Sequence, residues 1–263
     1  MSVVEQFHLC GSNEALDWSL APTLPAFNGA SLKVEEADVH YCLLEIPVDR
    51  AIASLPPGLH PCIPGVIAVL HYHCAVSDIG PFDLLTTAIL CRSAAKHRMM
   101  TLSCFTNSRE AQSLFREGWG YPAVMATVKL AIQYDQVRST AMQDGKALLD
   151  VATKDPIALM GPGASVRYAQ SLNRAHTPHG SKLVQVDVSY DFKRSARGVP
   201  EFYVYDGVSL GDPHAVPTYP VSGTIVRANL VFDAVRFIAD PVLSAEAGGI
   251  TVVREKENTT AVA

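Results

Sequence analysis

Short apolar and β-branched runs alternate with polar turns along most of the chain, a pattern typical of a strand-rich protein. The clearest run is GVIAVLHYHCA at Gly65–Ala75, and Asp144-Gly145 marks a tight turn between two further runs. We predict strands over residues 39–46, 65–75, 84–91, 98–105, 124–134, 138–143, 146–153, 164–172, 182–190, 201–205 and 224–238.

Apolar residues recur at helical spacing in two short segments. VDRAIASL follows a proline, and REAQSLFREGW leads into a Gly-Tyr-Pro turn. Asn107 or Ser108 is expected to cap the second helix, because a short side-chain oxygen can accept from an unpaired first-turn N–H. Gly118 is expected to end it, since glycine adopts a left-handed conformation without a steric penalty.

Many strands and few helices predict a mainly β (α+β) fold, a closed β-barrel or strongly curved antiparallel sheet, because closure removes exposed strand edges. No linker or repeat divides the chain. We therefore predict one domain over residues 39–243, preceded by a lead-in (1–38) anchored by Trp18 and Phe27 and followed by a tail (244–263).

Composition narrows the possible partners. The 263 residues carry a net charge of −5 without any cluster of lysine and arginine, which argues against nucleic acid and anionic membranes. The longest apolar runs, such as Gly65–Leu70, are too short to span a bilayer, and the acidic N-terminus does not fit a signal peptide. Six cysteines lack C-x-x-C spacing. We therefore expect a cytoplasmic protein with reduced thiols, no bound metal and no cofactor.

Five motifs make the chain resemble the acetoacetate decarboxylase-like superfamily over roughly Val39–Pro241. They are LPPGL, HYHCAVSDIGPFDLL, REGWGYP, KLVQVDVSYDF and VPTYPVSG. The resemblance implies a barrel of cone-like curved sheets with a few short helices, and a homo-oligomer. It also implies a pocket at the Gly-Tyr-Pro turn.

The charged residues of the family's decarboxylases are missing from the matching positions. In those enzymes two lysines follow the Tyr-Pro, and the first forms a Schiff base with a β-keto acid; here Ala123 and Val124 stand there. The family's two glutamates fall at Leu84 and Val69, and its early arginine falls near Val39. A Schiff base needs an amine that is neutral near pH 7. The resemblance therefore implies a divergent member that lacks the Schiff-base reaction.

Strand alternation supplies other candidates for catalysis. His71 and His73 fall on one face with Val69, and imidazoles titrate near neutrality, so they can act as general acid and base. Asp83 can replace the lost glutamate or be an ordinary turn carboxylate. Glu117 is a further candidate, although pairing with Arg116 to fix the turn is the simpler interpretation.

Two further arrangements of these groups stay open at this stage. His71 and His73 could instead bind a metal with Asp83, Glu117 or His40, or be structural histidines inside the barrel. A relocated Schiff-base lysine at Lys129 is a third possibility.

The pocket wall is expected to be apolar and to suit a small hydrophobic substrate. Its predicted substrate-binding residues are Val69, Leu84, Trp119, Tyr121, Ala123, Val124 and Met125. The first hypothesis is a cofactor-independent isomerase, cyclase or lyase of secondary-metabolite biosynthesis, acting on a polyketide-like or terpenoid-like substrate. The alternatives are a non-catalytic binding protein and a decarboxylase or aldolase with a relocated lysine.

Overall fold

Fifteen strands and two helices occur in the residues that the computed structural model describes, which are 9–25, 28–93, 96–160, 168–235 and 237–241. The elements are β1 (Leu32–Ile46), α1 (Val48–Ser54), β2 (His60–Pro61), β3 (Gly65–Cys74), β4 (Val76–Ser77), β5 (Phe82–Ser93), β6 (Lys96–Thr106), α2 (Arg109–Trp119), β7 (Ala123–Met125), β8 (Thr127–Ile132), β9 (Gln136–Gln143), β10 (Lys146–Ala158), β11 (Gln170–Thr177), β12 (Gly180–Val186), β13 (Val188–Tyr205), β14 (Tyr219–Phe232) and β15 (Phe237–Ala239).

The strands form one large curved sheet, which confirms the predicted fold class. Its order is β15-β12-β11-β6-β5-β3-β1-β14-β13-β10-β9-β8, and β7 adds to β6. All pairings are antiparallel except β11 with β6 and β6 with β7. The central strands β1, β3, β5 and β6 are buried on both sides over most of their length, and long parts of their sequences are apolar.

Two separate cores lie on the two sides of these central strands. We call the side of Leu70, Tyr72 and Ala123 the first face, and the side of Val69, Phe105 and Leu85 the second face. Because side chains alternate along a strand, neighbouring residues of β3 belong to different cores. This division decides which predicted site residues can meet.

Most predicted strands are present, and two of the predicted runs are each broken into two strands. Residues 164–167 of the strand predicted at 164–172 lie outside the described residues, and the described strand there is β11. The run at 182–190 is interrupted at Asp187, where the chain leaves β11 as its partner and joins β14 instead. The run at 124–134 is interrupted at Ala126, between pairing with β6 and pairing with β9. Alternation within a run does not reveal such a change of partner. β1 begins at Leu32, inside the predicted lead-in, and Phe27 lies outside the described residues.

Helix α2 begins as predicted and ends two residues later than predicted. The Ser108 hydroxyl accepts from the Ala111 N–H at 3.3 Å, which confirms the cap. Gly120, not Gly118, adopts the left-handed conformation (φ 70°) that ends the helix. Gly118 is buried within the last turn, where a side chain would meet Ala30.

Candidate acid–base site on the second face

His71, His73 and Asp83 meet on the second face at the pairing of β3 with β5. His73 lies directly opposite Asp83, and its Nδ1 is 2.8 Å from Asp83 Oδ1. The Nε2 of His71 contacts the same carboxylate oxygen at 3.1 Å. Directly opposed residues project to the same side of a sheet, so the alternation of β3 places both imidazoles against one carboxylate.

Asn107 completes the surroundings of this carboxylate. Its Nδ2 donates to Asp83 Oδ2 at 2.8 Å, while its Oδ1 accepts from the Asp83 backbone N–H at 2.8 Å. Both carboxylate oxygens are therefore occupied, and the Asp83 side chain is only 11% exposed. The carboxylate is held in one orientation.

A chain of hydrogen bonds continues from His71 into the interior. His71 Nδ1 lies 3.0 Å from Ser139 Oγ, which lies 2.7 Å from His40 Nδ1. His40 Nε2 in turn lies 2.8 Å from Thr153 Oγ1. His40 and His71 occupy opposed positions on β1 and β3 and are fully buried.

The Asp83 carboxylate, at one end of this series of hydrogen bonds, determines which group donates and which accepts in each bond. An ionised Asp83 can only accept, so His71 Nε2 donates to it, and a neutral His71 must then accept at Nδ1 from the Ser139 hydroxyl. Ser139 therefore accepts from His40 Nδ1–H, and the Thr153 hydroxyl donates to His40 Nε2. Every proton in the chain points toward Asp83, which matches two neutral histidines and one charged carboxylate.

Burial and hydrogen bonding set the charges of these groups. Burial lowers the pKa of His40 to about 3, helped by the neighbouring His71. Burial also lowers the pKa of His71, although the Asp83 carboxylate opposes the shift. Burial alone would raise the pKa of Asp83, but the contacts with His71 and His73 lower it. Asp83 is therefore ionised and both buried histidines are neutral at pH 7.

His73 is the member of this group that is open to solvent. Its side chain is 44% exposed, and its Nε2 makes no hydrogen bond with any described residue. Because Nδ1–H donates to Asp83, Nε2 is the ring nitrogen that can exchange a proton with a substrate. An aspartate that orients a histidine in this way stabilises the imidazolium that forms when the ring takes a proton. The His73–Asp83 pair, which we call the dyad, is chemically suited to general-base catalysis.

Charged residues continue in a row on either side of the dyad. His73 is also opposite Asp38 on β1, and Asp38 is opposite Arg227 on β14. The Arg227 guanidinium donates to both oxygens of Asp38, at 2.9 and 2.6 Å. The charge of Asp38 is therefore balanced by Arg227, whereas His73 is bonded to the other carboxylate, that of Asp83.

The neutral histidines predict a dependence of stability on pH. Both bind protons more readily in the unfolded chain, near the ordinary value of 6.5. Their contribution to the free energy of unfolding is therefore complete above pH 6.5. It decreases as the pH falls toward the pKa in the folded protein, which is about 3 for His40. We expect His40→Gln to reduce the slope of unfolding free energy against pH between pH 6 and 4 by up to about 1.4 kcal/mol per pH unit.

Urea unfolding at several pH values measures this slope. His179→Gln serves as the matched control because His179 is exposed in the β11–β12 turn, and it should retain the wild-type slope. An unchanged slope in His40→Gln would show that His40 is already charged in the folded protein.

The predicted substrate-binding residues do not form one pocket. Val69 and Val124 lie on the second face with His71, whereas Leu84 and Ala123 lie on the first face. The prediction that they share a cavity is wrong, because β5 and β7 turn consecutive residues to opposite sides. Val69 therefore does not lie on the same side of the sheet as Ala123. Its neighbour Leu70 is the residue of β3 that lies on that side.

The remaining predicted residues lie away from the dyad. Trp119 and Tyr121 are buried in the first core, and Met125 is half-buried at the end of β7. Glu117 is exposed on α2, where its carboxylate accepts from the Ser113 hydroxyl at 2.9 Å. The structure therefore does not bring Glu117 to the histidines.

The predicted pair of Arg116 with Glu117 is absent among the described residues. Arg116 Nη1 instead donates to the Ala123 carbonyl at 3.4 Å, beside Gln112, whose Nε2 donates to the same oxygen at 3.3 Å. The Gly-Tyr-Pro turn is thus fixed to α2 through the backbone at Ala123.

Neither lysine that could replace the lost amine is buried. Lys129 is exposed on β8, and Lys146 is exposed and paired with Asp206. A lysine that is neutral near pH 7 needs burial or a nearby cation. The described surroundings of Lys129 and Lys146 do not provide either condition.

A second polar region on the first face was not predicted. Tyr72 and Tyr190 share a hydrogen bond of 2.7 Å between their hydroxyls, and the Tyr168 and Tyr190 rings are 4.6 Å apart. Burial raises the pKa of Tyr72, Tyr168 and Tyr190, so all three are neutral. Beside them lies a cavity of about 510 Å³. The tyrosines come from distant strands, so no local sequence pattern could reveal the cluster.

Two further findings concern the described residues. No group of three or more His, Cys, Asp or Glu side chains among them is arranged to hold a metal ion. None of their helices is long and apolar enough to cross a membrane.

A large curved sheet with a core on each face, and a short helix leading into a Gly-Tyr-Pro turn, defines the class of this protein as acetoacetate decarboxylase-like. The chain belongs to the acetoacetate decarboxylase (ADC) family, whose model matches residues 21–236. It is a divergent member, with Ala123 at the position of the Schiff-base lysine.

Solved structures of low sequence identity share this fold. The acetoacetate decarboxylase of Legionella pneumophila subsp. pneumophila str. Philadelphia 1 is 16% identical, with a TM-score of 0.69 over 89% of this chain and 97% of that one. The enduracididine biosynthesis enzyme MppR, complexed with pyruvate, is 12% identical, with a TM-score of 0.65 over 80% and 90%.

An acetoacetate decarboxylase-like enzyme from Sphingomonas wittichii RW1 is 15% identical, with a TM-score of 0.61 over 86% and 97% of the two chains. No curated protein matches the sequence. At these identities the likeness shows the fold alone.

Proposed function

We propose that this protein is a cofactor-independent enzyme that acts on a small organic molecule by proton transfer, with His73 as general base and Asp83 as its positioning residue. The observation that carries the proposal is the 2.8 Å contact of His73 Nδ1 with a buried carboxylate, which leaves Nε2 without a hydrogen bond to any described residue on a side chain that is 44% exposed. His71 and Asn107 hold that carboxylate from its other sides. Such positioned bases contribute about 10²–10⁴-fold to a rate.

The proposed reaction starts with removal of a proton from carbon next to a carbonyl group. The electron pair of the broken C–H bond moves into the carbonyl to give an enolate, and His73 holds the proton as an imidazolium beside Asp83. Return of the proton from His73 to a different carbon of a conjugated dienolate is an isomerisation. Attack of the enolate carbon on a second carbonyl, whose oxygen then takes the proton from His73, is a cyclisation. Re-formation of the carbonyl with expulsion of a leaving group from the carbon beyond the enolate, which takes the proton from His73, is a lyase reaction. An enolisable polyketide-like secondary metabolite suits all three outcomes.

Family membership supports an enzymatic role without a Schiff base. The solved structures that share this fold include an acetoacetate decarboxylase and an enzyme of enduracididine biosynthesis. Here Ala123 removes the amine, while the second face supplies a different acid–base group. The proposal therefore retains the scaffold and moves the chemistry to the other side of the sheet.

The first test of the proposal needs the natural substrate. Deletion of the gene should cause a metabolite to accumulate, and purified protein should convert it. His73→Gln should lower kcat at least about 10²-fold, since the general base is removed, while the exposed-histidine control His179→Gln should retain wild-type kcat. Unchanged turnover by His73→Gln would refute the assignment of His73.

Binding without catalysis is a second candidate, favoured by the closed apolar packing around Ala123 and by the separate cavity on the first face. A ligand that copurifies unchanged, together with failure to convert the accumulated metabolite, would favour this function.

A further inference from the structure

The proposed proton transfer places a negative charge on the carbonyl oxygen of the substrate. Enzymes stabilise such an enolate oxygen with hydrogen-bond donors that are already fixed in place before the reaction. A donor with this role must lie beside the dyad, be open to solvent and retain an N–H or O–H group that the protein does not use. Asn107 meets these three conditions.

Asn107 lies on the opposite side of Asp83 from His73. Leu84 of β5 is opposite Thr106 of β6, so Asp83 and Asn107 form the next pair of that register. The Asp83 N–H donates to Asn107 Oδ1 at 2.8 Å, which continues the pairing through a side chain. Because His73 is opposite Asp83 on β3, the three residues form one row on the second face with the carboxylate at its centre.

Two hydrogen bonds fix the orientation of the Asn107 amide. Its Oδ1 accepts from the Asp83 N–H and its Nδ2 donates to Asp83 Oδ2, both at 2.8 Å. The amide nitrogen carries two N–H donors, and the second makes no hydrogen bond with any described residue. Asn107 is also exposed. The protein therefore positions one N–H of Asn107 that is still available to a substrate.

The spacing of this row suits a small carbonyl compound. Neighbouring strands lie about 4.8 Å apart, so the Cα atoms of His73 and Asn107, which are two strand spacings apart, are separated by about 10 Å. Both side chains lean toward Asp83, because His73 contacts its Oδ1 and Asn107 its Oδ2. The distance between the two polar groups is therefore shorter, and a bound carbonyl group with its neighbouring C–H can contact both.

The nearest arginines are directed to another carboxylate. Arg227 donates from Nε and Nη2 to the two oxygens of Asp38, and Arg194 lies 4.0 Å from the same carboxylate. Asn107 is thus the donor that contacts the carboxylate of the dyad from outside. The enolate oxygen would lie near the Asp83 charge, but the His73 imidazolium forms in the same step and balances it.

We propose that Asn107 is a second catalytic residue, whose free Nδ2–H donates to the carbonyl oxygen of the substrate while that oxygen becomes the enolate oxygen. This inference rests on the proposed function. In the step, His73 Nε2 takes the proton from the carbon next to the carbonyl, and the electron pair of the C–H bond forms a carbon–carbon double bond. The carbonyl electron pair moves to the oxygen, and Asn107 keeps its own proton.

Asn107→Ala should lower kcat about 10²-fold on the metabolite that accumulates when the gene is deleted, the lower end of the range for such donors, because Asn107 is exposed. KM should change no more than about three-fold, since the donor acts mainly on the charge that develops in the transition state. Asn13→Ala is the matched control, because Asn13 accepts from the Ala15 N–H at 3.2 Å in the lead-in; it should retain wild-type kcat.

Nitrogen NMR of His73 separates donation to the substrate from orientation of Asp83. We expect Asn107→Ala to keep the neutral His73 ring protonated on Nδ1, because His71 still donates to Asp83 Oδ1. Unchanged kcat in Asn107→Ala, or a lower kcat accompanied by a mixture of His73 tautomers, would overturn the proposal. Loss of turnover in His73→Gln with normal turnover in Asn107→Ala would refute this inference alone, whereas normal turnover in His73→Gln would refute the proposed function.

Discussion

Asp83→Asn is expected to lower kcat by about 10²–10⁴-fold, because the substitution removes the carboxylate that orients His73. The Asp83 oxygen Oδ1 accepts from both histidines, His73 at 2.8 Å and His71 at 3.1 Å. Asn107 donates to the other oxygen, Oδ2, and an amide has only one acceptor oxygen, so the substituted side chain must turn its NH2 group toward either the histidines or Asn107. His73 would lose the charge that stabilises its protonated form, and its proton would no longer be fixed on Nδ1.

A purely structural role of Asp83 would be distinguished by nitrogen NMR of His73. In the neutral form of the ring, we expect the wild-type protein to carry the proton on Nδ1 and Asp83→Asn to show a mixture of the two tautomers. Asp135→Asn is the matched control, because Asp135 is exposed between β8 and β9, and it should change neither kcat nor the spectrum. Loss of kcat with the wild-type tautomer would contradict the positioning role.

Ala123→Lys is expected to destabilise the protein by about 3–5 kcal/mol, because the larger side chain overpacks a closed apolar core and its amine must either lose its charge or stay unpaired there. Ala123 is fully buried in the first core, which also contains Leu84, Trp119 and Tyr121. Arg116 contacts the Ala123 carbonyl at 3.4 Å, so a cation lies close to the new lysine and, together with burial, favours its neutral form. The substitution should nevertheless not restore release of carbon dioxide from acetoacetate, because the closed core around Ala123 leaves no space for a substrate beside the amine.

Urea unfolding measures the cost of this substitution. Thr127→Lys, at an exposed position four residues further along, is the matched control and should change the unfolding free energy by no more than about 0.5 kcal/mol. Wild-type stability of Ala123→Lys, or decarboxylation of acetoacetate by it, would show that the lysine position still faces a usable cavity.

Alternation along one strand could be predicted from the sequence, and it placed His71 and His73 correctly on one face. Alternation could not decide whether Asp83 is a functional or an ordinary carboxylate. The register of β3 with β5 brings Asp83 into contact with both histidines. The register between strands is not encoded locally. For the same reason Val69 was assigned to the face of Ala123 although the two residues lie on opposite sides.

Residues from distant strands could not have been assigned to a site by any local pattern. Ser139 joins His40 to His71 because β9 folds under the second face, about a hundred residues away in sequence from His40. By contrast, the cap at Ser108 depends on its immediate neighbours and was predicted correctly.

The account is tested most directly by solvent deuterium incorporation into the metabolite that accumulates when the gene is deleted. In heavy water, the wild-type protein should introduce deuterium at carbon next to a carbonyl group during turnover, and His73→Gln should do so at least about 10²-fold more slowly. Equal labelling by the two proteins would contradict proton transfer by His73. If borohydride abolished turnover and trapped the substrate on a lysine, the claim that no Schiff base forms would be contradicted.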